Sequence, residues 1–304
     1  MNTVQLHPTR CAICQTKGNA TELYPANFDP EAFNPAVFSA RRLPDRIHYR
    51  MVKCCTCGLV RSDPVAASAL LAQLYAQSDF CYADEVASLK LTYGHYLSTL
   101  AEFGIQKGTL LEIGCGNGFF LEEALAQGYV TVRGVEPSSV AVAKASPKVQ
   151  SYISCDIMHS GLFDPGQFDV VCMFQVFDHI PDPGTLLDEC FRVLKPGGLL
   201  LCLNHNIEAV SARLLKERSP IIDIEHTYLY SPSTMSRIFE VYGFKVARVG
   251  SARNTNTLHY LLRLLPLLAV PKRILLALLN RSSVGRIRFS MPLGNLYLVA
   301  QKPG

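Results

Sequence analysis

The sequence has no charged head followed by an apolar core. Met1-Asn2-Thr3-Val4-Gln5-Leu6 carries neither, so no secretory leader is expected. The first 200 residues hold no basic run with interleaved aromatics, and the formal net charge of +4 is mild. A nucleic-acid partner is therefore not expected. No apolar run is clean enough to span a bilayer, because the stretch 257–279 is broken by Arg263, Pro266, Pro271, Lys272 and Arg273. The eleven cysteines would be many for a disulfide protein of 304 residues. Cys172 and Cys202 fall inside predicted strands, where a reduced, buried thiol is the plain reading, and a cytoplasmic compartment fits. A hydrophobic content of 49% leaves ample material for a core. The length suits one large domain with a small one.

What is present centres on Leu110-Leu111-Glu112-Ile113-Gly114-Cys115-Gly116-Asn117-Gly118-Phe119-Phe120. An apolar run ends in an acid, three glycines alternate, and a helical pattern runs to about Gln127. Glycines let the backbone turn sharply and a ligand come close, and the helix N-terminus offers unpaired N–H groups. The spacing is neither the dinucleotide fingerprint nor a phosphate-binding loop, since no Gly-Lys-Ser/Thr follows. Strands and helices then alternate. Thr131–Glu136 reads as a second strand ending in a carboxylate, about 20 residues past the turn, where it can accept both hydroxyls of a ribose. Pro137-Ser138-Ser139 then opens a helix through Ala145, with a serine as the expected N-cap. Tyr152–Ile157 reads as a short third strand, Phe168–Phe174 as a fourth and Leu199–Leu203 as a fifth. Gln175-Val176-Phe177-Asp178-His179-Ile180 lies at the carboxyl end of the fourth strand, where ligands of open α/β sheets sit.

The E-x-G-x-G-x-G turn, Glu136, Asp156, the Asp-His-Ile-Pro loop and the Leu-Lys-Pro-Gly-Gly turn together resemble the class I S-adenosylmethionine-dependent methyltransferases over about 107–205. The resemblance implies a Rossmann-like α/β fold with a seven-stranded, mostly parallel sheet. It implies S-adenosylmethionine as cofactor, held by Glu112, Gly114, Cys115, Gly116, Gly118, Glu136, Pro137, Phe174 and Gln175. Asp156 would hydrogen-bond the adenine amino group and Ile157 pack on the ring. It also implies that Tyr75 or Tyr82, ahead of the domain, can cover the cofactor; both also fit as aromatic core. Helices over 66–76 and 84–103 link this domain, 107–304, to an N-terminal segment, 1–65.

That segment carries two C-x-x-C pairs, Cys11/Cys14 and Cys54/Cys57, the second followed by Gly58-Leu59-Val60. Four thiolates in two such pairs can hold one structural zinc, as in a zinc ribbon. Cys55 and His48 are alternative ligands, and four unrelated cysteines are the plainer reading. The Pro- and Phe-rich interval 24–50 reads as a long loop. The knuckle Cys-x-x-Cys-Gly-Leu-Val and His226-Thr227-Tyr228-Leu229-Tyr230-Ser231 resemble bacterial methyltransferases of sugar, polysaccharide and secondary metabolism that carry such a ribbon.

Beyond 206, a helix over 233–242 precedes two strands, 244–249 and 296–301, which would form an antiparallel hairpin on the sheet edge. Between them an apolar insertion, about 254–292, reads as two short amphipathic helices. They would serve as a lid, a dimer face, a domain-packing element or a membrane-surface patch with Arg281, Arg286 and Arg288 at its rim, leaving the protein cytoplasmic or peripheral to a membrane. For a hydroxyl or carbon acid the acceptor's proton needs a base. His179 is the first candidate, His226 the second and His205 the third; Asp178 would orient or replace them. The expected activity is O- or C-methylation of a small-molecule or carbohydrate-like acceptor. A lipid-linked or quinone-like acceptor at a membrane surface, or a non-catalytic S-adenosylmethionine-binding scaffold, are alternatives. The strand-four loop lacks the Asn/Asp-Pro-Pro-Tyr/Phe of nucleic-acid amino-methylating enzymes.

Overall fold

The structure, a computed structural model, describes residues 5–28, 47–77, 85–264, 269–281 and 283–304. Most of the 24–50 loop, and Tyr82, lie outside the described residues. Seven strands form the main sheet: β1 Thr109–Ile113, β2 Thr131–Val135, β3 Ile153–Ser154, β4 Phe168–Phe174, β5 Leu194–His205, β6 Lys245–Thr257 and β7 Arg288–Gln301. Their order across the sheet is β6-β7-β5-β4-β1-β2-β3. β1 to β5 run parallel, and β7 is antiparallel to both β5 and β6. The order reverses between β1 and β4, which opens a crevice at their carboxyl ends.

β1 shows why the sheet is buried on both faces. Leu111 and Ile113 join one apolar cluster with the helices Pro183–Val193 and Pro232–Val241. Leu110, on the other face, joins the cluster under Val86–Thr99 and Phe119–Ala126. Near-continuous apolar strands are what a parallel sheet covered on both sides requires. Asp182 and Ser231 cap the two helices on the first face. Each accepts a backbone N–H, and Ser231 forms a full capping box with Thr234.

Three sequence expectations are revised. The third strand shrinks to Ile153–Ser154, because at the sheet edge only these two residues find partners, Gly134 and Val135. Lys195–Gly198 does not break the chain. It bulges within β5, held where Gly197 N donates to Lys302 and Lys302 N donates to Gly198. The last two strands are longer than expected, so the hairpin itself runs into the insertion, which carries the helices Leu258–Leu264 and Ala269–Arg281.

The N-terminal lobe is a second, antiparallel sheet of Ala20–Tyr24, Met51–Cys54, Val60–Ser62 and Tyr228–Leu229. Its last strand is borrowed from the far end of the chain, where Tyr228 pairs with Arg61 and Leu229 with Val60. Cys11, Ile13 and Leu59 share one apolar cluster with Tyr230 and the main sheet, so the lobe is packed onto the large domain.

Candidate functional site

A cavity of about 840 Å³ opens at the β1/β4 crevice. One wall is the glycine turn. Gly114 and Cys115 both donate to Val135 O, and Gly118 N donates to Cys115 O. Gly114, Gly116 and Gly118 have φ values of 73°, 55° and 73°, the left-handed region that glycine adopts without strain. A Cβ on Gly114 would stand 2.3 Å from Val176 Cγ2. Gly118 does not line the cavity; it starts the Phe119–Ala126 helix, with Val149 and Ile153 packed behind it. Gly118 thus serves the turn and its packing.

Glu136 closes this wall. Its carboxylate accepts from Gly116 N and from Ser138 N, both at 2.9 Å. Burial raises its pKa, and these two N–H groups oppose the rise. Glu112 lies beneath it, 2% exposed. Its carboxyl is pushed well above the usual range by burial and then by the charge of Glu136. Glu112 Oε2, and both amide atoms of Gln175, are buried without a hydrogen-bond partner among the described residues. Gln175 is also held at φ 57°, strained for a residue with a side chain. Buried polar atoms left so are costly unless a ligand completes them. An acid in this wall favours a ligand that brings positive charge. Pro137, Asp156, Ile157 and Phe174 line the same cavity. The Asp156 carboxylate accepts from Ile157 N at 2.7 Å, and the Phe174 ring is stacked on Tyr93 with centroids 4.2 Å apart. An adenosyl group with a sulfonium and an ammonium fits these donors and acceptors, with Glu136 at the ribose.

Across the cavity, three histidines surround one carboxylate. Asp178 is fully buried, in the short turn Phe177–His179 that Phe177 anchors by stacking on Tyr230. Its Oδ2 lies 2.6 Å from His205 Nδ1 and 3.9 Å from His226 Nε2, and its Oδ1 lies 3.6 Å from His179 Nε2. His179 Nδ1 meets the Tyr75 hydroxyl at 2.9 Å, and His226 Nδ1 meets Ile221 O at 2.9 Å. A carbonyl only accepts, so His226 carries its proton on Nδ1 and leaves a lone pair on Nε2. By the same logic His205 donates from Nδ1 to the carboxylate and leaves its own Nε2 free to accept.

Burial drives the His179 pKa down to about 3, against the opposing pull of Asp178. His226 is also lowered, first by burial and then by His205. Burial alone would raise Asp178, but the imidazoles, His205 foremost, carry it well below the usual carboxylate value. All three histidines line the cavity and Asp178 does not. Asp178 thus sits behind the rings, where it can orient them, one of the two roles expected of it. Its donor atom and those of His179 and His226 lie within 4.8 Å of one another, a spacing that also suits a cation.

Position 226 depends on the N-terminal lobe. Thr227 N donates to Asp178 O at 2.8 Å, while Tyr228 and Leu229 pair with the lobe's sheet. In that lobe the Sγ atoms of Cys11, Cys14, Cys54 and Cys57 all lie within 4.8 Å of one another. The two loops that carry them match. Gln15 N donates to Cys11 O and Gly58 N to Cys54 O, and Gln15 and Gly58 both have left-handed backbones. Cys55 is exposed, and His48 is spent on Tyr49 O and Glu217, so neither alternative ligand joins the cluster.

Residues 87–249 match the methyltransferase-domain family. The chain belongs to that family. Over 121 residues it is 31% identical to the ubiquinone biosynthesis O-methyltransferase of Colwellia psychrerythraea, covering 37% of this chain and 49% of that protein. Over 104 residues it is 31% identical to the protein of the same name from Pseudomonas aeruginosa PAO1, covering 32% and 45%. The chain thus spans about half the length of the curated relatives it matches. A solved S-adenosylmethionine-dependent methyltransferase from Aquifex aeolicus superposes with a TM-score of 0.45 at 20% identity, covering 71% of this chain and 92% of that one.

The site also holds residues that sequence reading passed over. Asp223 and Glu225 line the cavity, as do Asn254, Asn256 and Tyr260 from the hairpin and its helix. Glu225 adjoins the flagged His226 and was legible by neighbourhood. The hairpin residues gave no local signal, because their place depends on how far β6 and β7 pair.

Proposed function

We propose that this protein transfers the methyl group of S-adenosylmethionine to an oxygen or carbon of a small acceptor that presents a polar end to the histidine cluster. The observation that carries this reading is one cavity walled on one side by the Gly116–Glu136 contact and on the other by His179, His205 and His226. Its volume of about 840 Å³ lies in the upper part of the range for ligand sites, about 300–1,000 Å³. S-adenosylmethionine, when bound, supplies an electrophilic methyl on a sulfonium. The chain's part is to align the acceptor, keep water out and take a proton. Oxygen is the favoured acceptor atom, in keeping with relatives named as O-methyltransferases.

His226 takes the proton. His179 has its Nδ1 at the Tyr75 hydroxyl and is held down to about 3, which makes it a poor base, so we prefer the second candidate to the first. A proton arriving on His226 Nε2 sits 3.9 Å from the Asp178 carboxylate, which stabilises the imidazolium. The second reading is a His205–Asp178 dyad, favoured by their 2.6 Å contact. The four cysteines hold one structural zinc ion, which ties the two loops of the lobe together.

Release of S-adenosylhomocysteine from the purified protein, measured over a panel of catechols, sugars and polyketides, tests the activity. Turnover with at least one class is the expected result. Binding of S-adenosylmethionine with no turnover over the whole panel points instead to a non-catalytic binding protein.

A further inference from the structure

Charge is divided unevenly along this chain. None of the 25 acids lies beyond Glu240, whereas ten of the 29 lysines and arginines do. The segment 241–304 therefore holds cations alone, and the rest of the chain carries more acids than bases. Overall charge conceals this, since the two parts nearly cancel.

The same segment bears the most concentrated exposed apolar surface among the described residues. On the Ala269–Arg281 helix, Ile274, Leu275 and Leu278 are 56%, 47% and 60% exposed, and they share a face at i, i+1 and i+4. Val284, Ile287 and Phe289 follow, each exposed by 40% or more. Arg273, Arg286 and Arg288 are exposed among them. The helix Val210–Leu215, ahead of the segment, packs against β7 and exposes two more apolar side chains. Val210 and Leu214 are 75% and 77% exposed, and Ser211 Oγ between them donates to Leu293 O on β7 at 3.0 Å. Large apolar groups standing in water at this density mark an interaction surface rather than scatter.

We infer that the β6–β7 arm and its helices seat this protein on an anionic lipid bilayer, with the apolar side chains entering the acyl boundary and the arginines at the headgroups. Apolar groups ringed by arginine, with no acid in the segment, complement such a surface. A nucleic acid would match the charge but leave Ile274, Leu278 and Phe289 unpaired. Among the described residues no helix is long and apolar enough to cross a membrane, so the contact is interfacial. The patch also reaches the cavity: Leu293 is exposed on one side, and it lines the cavity with Ser211, Leu215 and Tyr260. A bilayer at this face would lie beside the acceptor's way in. The inference goes beyond the methyl-transfer reading and does not need it, since lipid binding requires no turnover.

Co-sedimentation of the full chain with vesicles tests it, using phosphatidylcholine alone and phosphatidylcholine mixed with phosphatidylglycerol. The protein is expected to pellet with the mixed vesicles and to stay in solution with the neutral ones. Ile274→Ser with Leu278→Ser should weaken binding at least tenfold. Arg273→Gln with Arg286→Gln and Arg288→Gln should weaken it about a hundredfold. The far-ultraviolet circular dichroism and the cooperative thermal melt of both variants should match those of wild type, which shows that they are folded. Failure to pellet with anionic vesicles overturns the inference. So does equal pelleting of wild type and both variants, or binding to a nucleic-acid duplex in preference to the vesicles.

Discussion

Asp178 is a buried carboxylate with an imidazole on three sides, and its neighbours' titration sets how the protein responds to acid. His179 is held down to about 3 and His226 is lowered as well, in both cases first by burial. In the unfolded chain each titrates near its ordinary value of about 6.5. Between that pH and about 3 the unfolded state binds more protons, so stability is complete above about 6.5 and is lost as pH falls through the window. Asp178, depressed below its usual value, adds to the loss in the same direction at still lower pH. Glu112 and Glu136, raised above the usual carboxylate value, bind protons in the folded state over part of this range and oppose the loss. The cluster therefore shows as a melting temperature that falls more steeply from about pH 7 to about pH 5 in wild type than in His179→Asn. The same pH dependence in the two proteins would contradict this picture of the cluster. The same residues separate binding from turnover. His226→Asn should lower turnover by about a hundredfold or more, the scale of a lost general base, and leave cofactor affinity unchanged. His205→Asn should cost less. The reverse ranking would favour the His205–Asp178 dyad, and comparing the rates of the two variants decides between them.

At the scale of elements, the helix Pro232–Val241 is fixed by its own N-terminus. Ser231 accepts from Thr234 N, and Thr234 Oγ1 accepts from Ser231 N. Ser231→Ala should cost about 1 kcal/mol, read as a lower melting temperature with unchanged cofactor affinity. Elements of this kind were legible from sequence because their signals are local. Phe168–Phe174 emerges as a strand with the bounds its apolar run suggested, and of the two serines that could cap the next helix it is Ser138 that does. The glycine turn and Glu136 were legible for the same reason, as a backbone requirement and a spacing. What stayed hidden depends on distant partners. The third strand is short because nothing lies beyond it at the edge of the sheet. β6 and β7 are long because they pair with each other through the insertion, up to Thr257 and Arg288. Nothing local says that Tyr228 and Leu229 complete a sheet whose other strands lie more than 160 residues earlier. The contacts of the histidines were hidden too, since no local pattern says which ring nitrogen meets Tyr75, Ile221 or Asp178.

In the whole molecule β1, β2 and β4 build one side of the cavity, and the segment that carries His226 on the other side runs on into the N-terminal lobe's sheet. Thr227 is bonded to Asp178 while the next two residues pair with the lobe's sheet, so the lobe fixes where His226 stands. Removing the proposed zinc with a strong chelator, or Cys11→Ser with Cys57→Ser, should loosen that sheet. Turnover should fall while S-adenosylmethionine affinity changes little, because Glu136 and the glycine turn belong to the main sheet. Equal loss of both would mean that the lobe supports the whole fold rather than the acceptor wall. In the proposed function the glycine turn at 114–116 and the carboxylate of Glu136 cradle an adenosyl sulfonium between them. Titration calorimetry with S-adenosylmethionine tests it most directly, on wild type and on Glu136→Ala. Wild type should bind one equivalent, and the variant should lose about tenfold to a hundredfold in affinity, the worth of hydrogen bonds to a charged group. No binding by the wild type, or equal affinity in the two proteins, would contradict it.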